Sequence, residues 1–496
     1  MDLLVAAALV LGLAQVALGT GLVFAQLIFL FLVLAGMAVN ALGGCKTLAG
    51  LCVAMMGLKI VIISQVAKTI LLERADEHLE NPIETAGVLV VGMAAIGTAA
   101  LFVQRFHPRQ PIFKVDNSVA ALRRASIITF GIGLVSCGGS LALGGAGEGI
   151  IRVGGVVGVL RQLAFCSPLS IAFSTAYVLV RSNGTRCLSL WNGIPIFSVF
   201  ALGLIYSSKQ GMFEPFFILA ATAVAFQFRF RAIHVISAIS LLVFSVFVLA
   251  PLAQMARSTT RSSELAVTVR EMQSFLKEHF HSGRAISRLM EEQRDSDTGV
   301  EFSYYHQPHT LLDRVSLIKM VDVLVTETRR DGTSGWQTVT HGFKMLLPRA
   351  IYRAKPAIGT GTFLGHKAKV LSEDDGSTQI SFGFIADAFS SFGWWGAALI
   401  PFLLTGTFFA VFGLLVGPID RNVWCVFLFS QFQHTFTELP IAGMTLSILQ
   451  QPLIIFTMYA LLNFAGRMAQ SPAGSCGERA PFDLGTGKRS SAVLHA

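Results

Sequence analysis

The chain alternates long apolar stretches with short polar connections, except for one long polar stretch from about Ala253 to Ile385. Apolar runs such as Leu22 to Ala41, Leu188 to Tyr206 and Ile233 to Ala250 can each cross a hydrocarbon core of ~30 Å as a helix. A transmembrane barrel would instead alternate apolar and polar residues along short strands. The pattern predicts an all-α polytopic membrane protein with one large external loop domain.

About twelve transmembrane helices are expected. They lie at residues 3–19, 22–42, 47–67, 86–104, 125–143, 161–181, 188–206, 214–229, 233–251, 391–416, 422–438 and 441–465. The first two are separated only by Gly19 and Gly21, so a single long helix is the alternative there. This division predicts an N-terminal transmembrane bundle over 1–251, a mostly helical loop domain over 252–388, C-terminal transmembrane helices over 389–466 and a disordered tail over 467–496.

Composition supports the membrane class, because 53% of the 496 residues are hydrophobic and only 14% are charged. The net charge of +9 lies largely in short loops and the tail, so the positive-inside rule explains it more simply than binding of nucleic acid does. None of the seven cysteines falls in the polar stretch. A disulfide framework or a cysteine-based metal site is therefore not expected there.

Positive charge also predicts the orientation. Alternate loops carry lysine and arginine, among them Lys46, Lys114 and Arg421, and should face the cytoplasm together with both termini. The acidic segment from Glu73 to Glu84 and the long polar stretch then lie outside. Met1 and Asp2 offer no basic leader, so the first helix is expected to be retained.

The strongest candidate chemistry lies where the polar stretch returns to the membrane. Arg349, Arg353 and Lys355 stand in the segment LPRAIYRAKP, next to two prolines. Guanidinium groups bind phosphate oxygens bidentately and lysine adds a point charge, so this cluster suits a pyrophosphate. The alternative is an anchor at the lipid headgroups. The glycine-rich stretch Gly359 to Gly365 is expected to form a flexible turn near the anion.

Other polar residues are weaker candidates. Further cations that could complete a phosphate pocket are Arg152, Arg161, Lys209 and Arg314, the alternative for the first two being to reach the interface. His341 and Asp387 are the candidate general bases. The alternative for His341 is a surface position on a helix, and the alternative for Asp387 is a helix cap or a partner for a nearby arginine. No metal-ligand set, Walker loop or dinucleotide fingerprint is recognisable, so no metal or cofactor is expected.

The return segment resembles a known family. LPRAIYRAKP, a Gly/Ser/Thr-rich stretch, and then SFGFIADAFSSFGWWG entering an apolar span are similar to the PR…KP and FG-containing segments of Wzy-type O-antigen and exopolysaccharide polymerases. Ser207 to Gly211 is similar to a Ser-Lys/Arg-Gly turn of that family. The specific match covers a small part of the chain, and the layout of many helices with one late external loop covers the rest.

The resemblance implies a GT-C-like glycosyltransferase of the bacterial inner membrane, with its active site facing the periplasm. It would polymerise undecaprenyl-pyrophosphate-linked repeat units without nucleotide or metal. Membrane lipids, a chain-length regulator and a flippase are the implied partners. Three alternatives remain: an O-antigen ligase that uses the same donor, a transporter or flippase of the lipid-linked unit, and a scaffold of the export machinery.

Overall fold

The computed structural model describes residues 2–105, 110–114, 116–144, 156–205, 208–244, 302–306, 312–313, 316–347, 352, 359–376 and 378–470. Regular structure in these ranges is helical throughout, without a strand. Residues 252–301 of the predicted loop domain, the end of the ninth predicted span and the tail after residue 470 lie outside the described residues. The all-α class predicted from the apolar pattern is confirmed for the described part of the chain.

Eighteen α-helices are described, and we number them in chain order. They are Asp2–Ala17 (α1), Leu22–Ala41 (α2), Leu48–Gly57 (α3), Ile63–Ile70 (α4), Pro82–Gln104 (α5), Val119–Gly144 (α6), Val156–Leu163 (α7), Cys166–Arg181 (α8), Leu190–Ile205 (α9), Lys209–Ala225 (α10), Ala232–Phe244 (α11), Leu317–Asp331 (α12), Gln337–Leu346 (α13), Thr360–Lys367 (α14), Gly383–Leu415 (α15), Val423–Glu438 (α16), Ile441–Leu449 (α17) and Gln451–Gln470 (α18). A π-helical segment, Leu58–Ile62, joins α3 to α4.

A helix lies at each of the twelve predicted positions. Gly19, with φ of +96°, separates α1 from α2, so the first pair is two helices rather than one. Among the described residues, seven helical stretches are long and apolar enough to cross a membrane: Leu22–Ala41, Leu48–Ile70, Pro82–Gln104, Val119–Leu143, Val156–Arg181, Gly383–Leu415 and Ile441–Gly466. The protein is thus a multi-pass membrane protein by length and composition, and the full count of twelve crossings stays a prediction.

The connections gather at two ends of the bundle. At the basic end, the backbone N–H of Ile419 donates to the carbonyl of Lys46 (2.7 Å) and that of Arg421 to Ala225 (3.1 Å). At the other end, which we call the insert end, the loop between α4 and α5 packs against α12. The structure therefore groups the lysine- and arginine-bearing loops on one side and the acidic loop with the polar insert on the other. Which end faces the cytoplasm stays a prediction.

A buried lysine fixes the insert to the loop after α4. Lys68 has no exposed surface, and its Nζ lies 2.8 Å from Glu73 Oε2. The same ammonium lies 4.6 Å from the ring centroid of Tyr304 and 5.5 Å from that of Tyr305. Desolvated cation–π contacts of this kind are each worth up to about 2 kcal/mol. Residues 302–306 of the insert are thus packed into the bundle rather than laid over it.

A buried aspartate makes the second attachment. Asp322, on α12, has no exposed surface and accepts the backbone N–H groups of Glu80 (2.8 Å) and Asn81 (3.0 Å) and the hydroxyl of Thr85 (2.9 Å). These donors belong to the start of α5, whose first N–H groups have no partner within the helix. A carboxylate at this position also complements the helix dipole. The insert therefore caps a membrane helix.

The helix α15 contains a sharp break. Phe392 and Gly393 have non-helical backbone angles, and Gly393 has φ of +62°. A Cβ on Gly396 would lie 2.0 Å from the carbonyl oxygen of Ala388, so the two halves fold back on each other. Residues 383–391, which we call the half-helix, are all buried. The helix begins at Gly383 rather than at residue 391, and the predicted boundary between the loop domain and the last helices, at 388/389, falls inside the half-helix.

The half-helix lies inside the bundle. Gly92, in the middle of α5, leaves room for the side chain of Ile385, since a Cβ there would lie 2.6 Å from Ile385 Cγ2. Gly87, nearer the start of α5, would place a Cβ 3.2 Å from the ring of Trp394. The start of the half-helix is therefore deeper than the break. Such interrupted backbone inside a membrane is tolerated only where protein surrounds it.

Candidate functional site

Asp387 lies at the centre of the half-helix, where three helices meet. It has no exposed surface, and its Oδ2 accepts the backbone N–H of Ile441 at 2.8 Å. Ile441 is the first residue of α17, which starts directly after the chain leaves α16 through Leu439 and Pro440. Asp387 therefore caps α17 from another helix. The helix-cap interpretation of this residue is correct for one of its two oxygens.

The other oxygen of Asp387, Oδ1, does not cap a helix. Oδ1 is buried and has no hydrogen-bond partner among the described residues. The hydroxyls of Thr338 on α13 and Ser391 lie within reach of the carboxylate and bond to each other at 2.7 Å, which leaves only one hydroxyl proton for Asp387. A buried polar atom without a partner costs about 1–3 kcal/mol, so its persistence calls for an explanation.

Lys367, the last residue of α14, supplies a positive charge next to Asp387. Its Nζ donates to the hydroxyl of Ser390 (2.8 Å) and to the Ser390 carbonyl (3.2 Å). Burial lowers the pKa of Lys367, while the charges of Asp387 and Asp331 oppose that shift. Lys367 was not singled out in the sequence, because a lone lysine at a helix end looks like an ordinary surface residue.

His341 stands one helical turn after Thr338 on the same face of α13. That face packs directly on α17, since a Cβ on Gly342 would lie 2.9 Å from Ala442 Cα. The Nε2 atom of His341 is buried and has no partner among the described residues. Burial, and then the charge of Lys344, lowers the pKa of His341 below its usual value of 6.5. The imidazole is therefore neutral at pH 7, which a proton acceptor requires.

We use the name Asp387 site for Asp387, Thr338, His341, Lys367 and Ser391. The two predicted bases, His341 and Asp387, are thus brought to one junction by α13, α15 and α17. The predicted cations are placed differently. Arg349, Arg353, Lys355, Arg314 and Arg152 lie outside the described residues.

Two predicted cations, Arg161 and Lys209, fall within described helices. Arg161 lies in the last turn of α7 and forms no salt bridge with another described residue. Lys209 is the first residue of α10, directly after Ser208, whose hydroxyl accepts the Gly211 N–H at 3.1 Å. The turn that resembles the polymerase family is therefore a helix N-cap.

The glycine-rich stretch does not form the expected turn. Thr360–Lys367 is a helix, and its glycines serve packing: a Cβ on Gly361 would lie 2.8 Å from Gln379 Oε1, and one on Gly365 would lie 2.6 Å from Leu371 Cδ1. The flexible-turn prediction was wrong because glycine was read as conformational freedom, whereas here it permits close approach of neighbouring chain.

A second polar group lies between the π-helical segment Leu58–Ile62, α10 and α16, and sequence reasoning missed most of it. Lys59 Nζ is 2.9 Å from Glu438 Oε1, and His434 Nδ1 is 3.0 Å from Glu438 Oε2. On the same helix, Gln431 donates to Glu214. Lys59 falls in the π-helical segment, a feature that often marks functional positions. The available signal was a lone lysine inside an apolar span, which is by itself a reason to suspect function.

Comparison with known proteins identifies no relative: no family model, no curated protein and no solved structure matches the chain. What the fold and the site define is a class, an all-helical multi-pass membrane protein whose polar insert is packed on one end of its bundle. Any narrower assignment depends on the motifs quoted above and on the chemistry of the Asp387 site.

Proposed function

We propose that the protein is a membrane glycosyltransferase that polymerises undecaprenyl-pyrophosphate-linked repeat units at the periplasmic face of a bacterial inner membrane. The observation that carries the proposal is the pair of under-used buried groups, His341 Nε2 and Asp387 Oδ1, at a junction of broken helices at the insert end. Unsatisfied buried polar atoms cluster where chemistry is done.

Chain connectivity supports a pyrophosphate role for Arg349, Arg353 and Lys355. The segment that carries them joins α13 to α14, and both of these helices contribute to the Asp387 site.

The chemistry needs a base, charge stabilisation and positioning. His341 Nε2 takes the proton of the acceptor sugar hydroxyl, and the resulting oxygen forms a bond to the anomeric carbon of the donor glycan. The bond between that carbon and the phosphate oxygen breaks, and its electron pair leaves with undecaprenyl pyrophosphate. Arg349, Arg353 and Lys355 stabilise the leaving charge. Asp387 holds α17, and through it the packing face of His341, in place.

The test uses purified protein in detergent with undecaprenyl-pyrophosphate repeat units and no nucleotide sugar. We expect a ladder of longer lipid-linked glycans from the wild type. His341→Asn should abolish the ladder, whereas His366→Asn, a change of another histidine of the insert, should retain it. Transfer only when a lipid A core acceptor is added would identify a ligase instead.

A transporter of the lipid-linked unit is the second candidate, and the polar group around Lys59 and Glu438 favours it. Ionisable residues inside membrane bundles mark substrate or proton pathways in many transporters. Movement of unextended repeat units across liposome membranes, without any ladder from authentic substrate, would replace the polymerase proposal with this one. In that case Glu438→Gln should stop the movement and His341→Asn should not.

A further inference from the structure

Two histidines far apart in the chain meet at the insert end. His78, in the loop between α4 and α5, places its Nε2 3.1 Å from Nδ1 of His306, which belongs to the insert. The two rings are nearly perpendicular, at 87°, so they meet through their nitrogen atoms rather than by stacking. Glu77 Oε2 lies 3.2 Å from His306 Nε2. One ligand atom from each of the three residues lies within 4.8 Å of the others.

We propose that Glu77, His78 and His306 bind a divalent transition-metal ion of the Zn²⁺ class. Imidazole nitrogen and carboxylate oxygen are ligands that Zn²⁺ accepts, with Zn–N distances of about 2.0–2.1 Å. Tetrahedral geometry at that distance separates two nitrogens by about 3.3 Å, close to the separation of His78 from His306. Glu77 provides the carboxylate, either as the third ligand or as the acceptor of the second His306 N–H. This site is independent of the proposed function.

Hydrogen bonds to the backbone of His78 and His306 fix the positions of these two residues. The carbonyl of His78 accepts a hydrogen bond from the ammonium group of Lys319 at 2.5 Å, and His78 has a positive φ of +65°. The backbone N–H of His306 donates to Glu73 Oε1 at 3.2 Å, directly after the buried Tyr304 and Tyr305. The imidazoles therefore converge because their backbones are fixed by buried contacts.

The site is open to solvent. The side chains of His306 and Glu77 are 53% and 35% exposed, so water can occupy the remaining coordination positions.

A metal ion here would join the loop after α4 to residues 302–306 of the insert. Both segments are already held by Lys68 and Tyr304, so the ion would add a second attachment beside the first. Spacing rules could not find this site, because His78 and His306 are 228 residues apart. The sequence therefore predicts no metal site, since a ligand-spacing pattern links only residues that are near each other in the chain.

The experiment uses the full chain, purified in detergent, freed of any polyhistidine tag and stripped with chelator. Zn²⁺ uptake is measured by elemental analysis, Co²⁺ binding by visible absorption, and the thermal unfolding midpoint at several metal concentrations. We expect one ion per chain and a midpoint that rises with the logarithm of the metal concentration. His78→Gln and His306→Gln should each abolish uptake, and Glu77→Gln should weaken affinity about tenfold or more.

His366→Gln is the matched control, because His366 lies elsewhere in the insert with its Nε2 on the Asp375 carbonyl (2.8 Å). It should bind metal as the wild type does. If His306→Gln does not yield monodisperse protein, Glu77→Gln alone decides the outcome. The proposal is overturned if the wild type takes up no stoichiometric metal, or if the Glu77 and histidine variants bind it with wild-type affinity.

Discussion

Asp322 and Asp387 are both fully buried, and each caps the start of a membrane helix from a different element. Asp322 uses both oxygens: Oδ2 accepts from Glu80, and Oδ1 accepts from Asn81 and Thr85. Asp387 uses one oxygen, on Ile441, and leaves Oδ1 without a partner among the described residues. The two aspartates occupy similar positions at the start of a helix, but they differ in how many of their oxygens accept hydrogen bonds.

The difference in hydrogen bonding separates a structural carboxylate from a functional one, which burial alone would not do. A carboxylate whose acceptor capacity is filled by fixed donors is fully accounted for by the stability of the fold. One that keeps an open oxygen beside a lysine and two hydroxyls is available to other groups. In this molecule, whether each carboxylate oxygen has a hydrogen-bond partner indicates function better than how deeply the side chain is buried.

Glu438 extends the comparison to a third carboxylate, paired on both oxygens with Lys59 and His434. Glu438→Gln should have the largest effect on stability, because it leaves the ammonium of Lys59 without its counter-charge. A loss of about 3 kcal/mol in the free energy of unfolding is expected. The measurement is denaturant unfolding in detergent, with Glu373→Gln on an exposed turn as the control.

The double variant Lys59→Met, Glu438→Gln should recover at least half of that loss, since it removes the stranded charge together with its partner. If the double variant is as unstable as Glu438→Gln alone, the pairing account of Glu438 is wrong.

His341→Asn should reduce polymer formation about 100-fold or more, as expected for loss of a general base. In the wild type the rate should fall as pH falls through the folded pKa, which lies below 6.5 because burial disfavours the imidazolium. The linked stability has the same sign: it is fully present above the unfolded pKa and is lost as pH falls through the folded one. Rates and unfolding midpoints between pH 5 and 8 measure both. A rate profile unchanged in His341→Asn would remove this residue from the mechanism.

The same substitution, Asp→Asn, at Asp322 and at Asp387 compares the two aspartates by their effect on the free energy of unfolding. Asp322→Asn turns one acceptor into an NH₂ group that faces a backbone or hydroxyl donor, so we expect a loss of about 2 kcal/mol. Asp387→Asn can keep the acceptor for Ile441 and direct its NH₂ to the open side, so we expect less than about 1 kcal/mol. Unfolding in detergent gives both values.

Activity should show the reverse order: Asp387→Asn should be impaired, because it removes the negative charge beside Lys367, and Asp322→Asn should be close to wild type when folded. Equal losses of stability at the two positions would contradict the comparison.

The smallest effect is expected at the surface of the insert end. Arg329 Nε lies 2.5 Å from Glu84 Oε1, but its side chain is 58% exposed, so Arg329→Ala should cost less than about 1 kcal/mol. Thermal unfolding at low and high salt measures this. A loss comparable with that of Asp322→Asn would mean that surface charge, rather than the buried cap, holds the insert.

The helices could be predicted from the sequence because the length of an apolar run depends only on residues that are neighbours in the chain. The sequence pattern also grouped the loops correctly at two ends, as the contacts of Lys46 with Ile419 and of Asp322 with Asn81 show. The half-helix before the break at Phe392 and Gly393 was missed, because the apolar pattern places the start of this span at residue 391.

The site contacts could not be read in the same way. Asn81 and Asp322 are 241 residues apart, and Lys59 and Glu438 are 379 apart, so no spacing rule links them. His341 and Asp387 were singled out by residue type, but their shared junction depends on how α13 packs on α17. Residue type suggested the chemistry, and tertiary packing decided which atoms remained available for it.

The cap that Asp322 places on α5 also has a consequence for biosynthesis. The N–H groups of Glu80 and Asn81 emerge from the ribosome long before their acceptor, which follows 242 and 241 residues later. The early helices can enter the lipid, but the start of α5 stays without its acceptor, and Lys68 without its tyrosine contacts, until the insert has been made and docked. Translation order and completion order therefore differ, since α12, in the C-terminal half of the sequence, completes the start of α5.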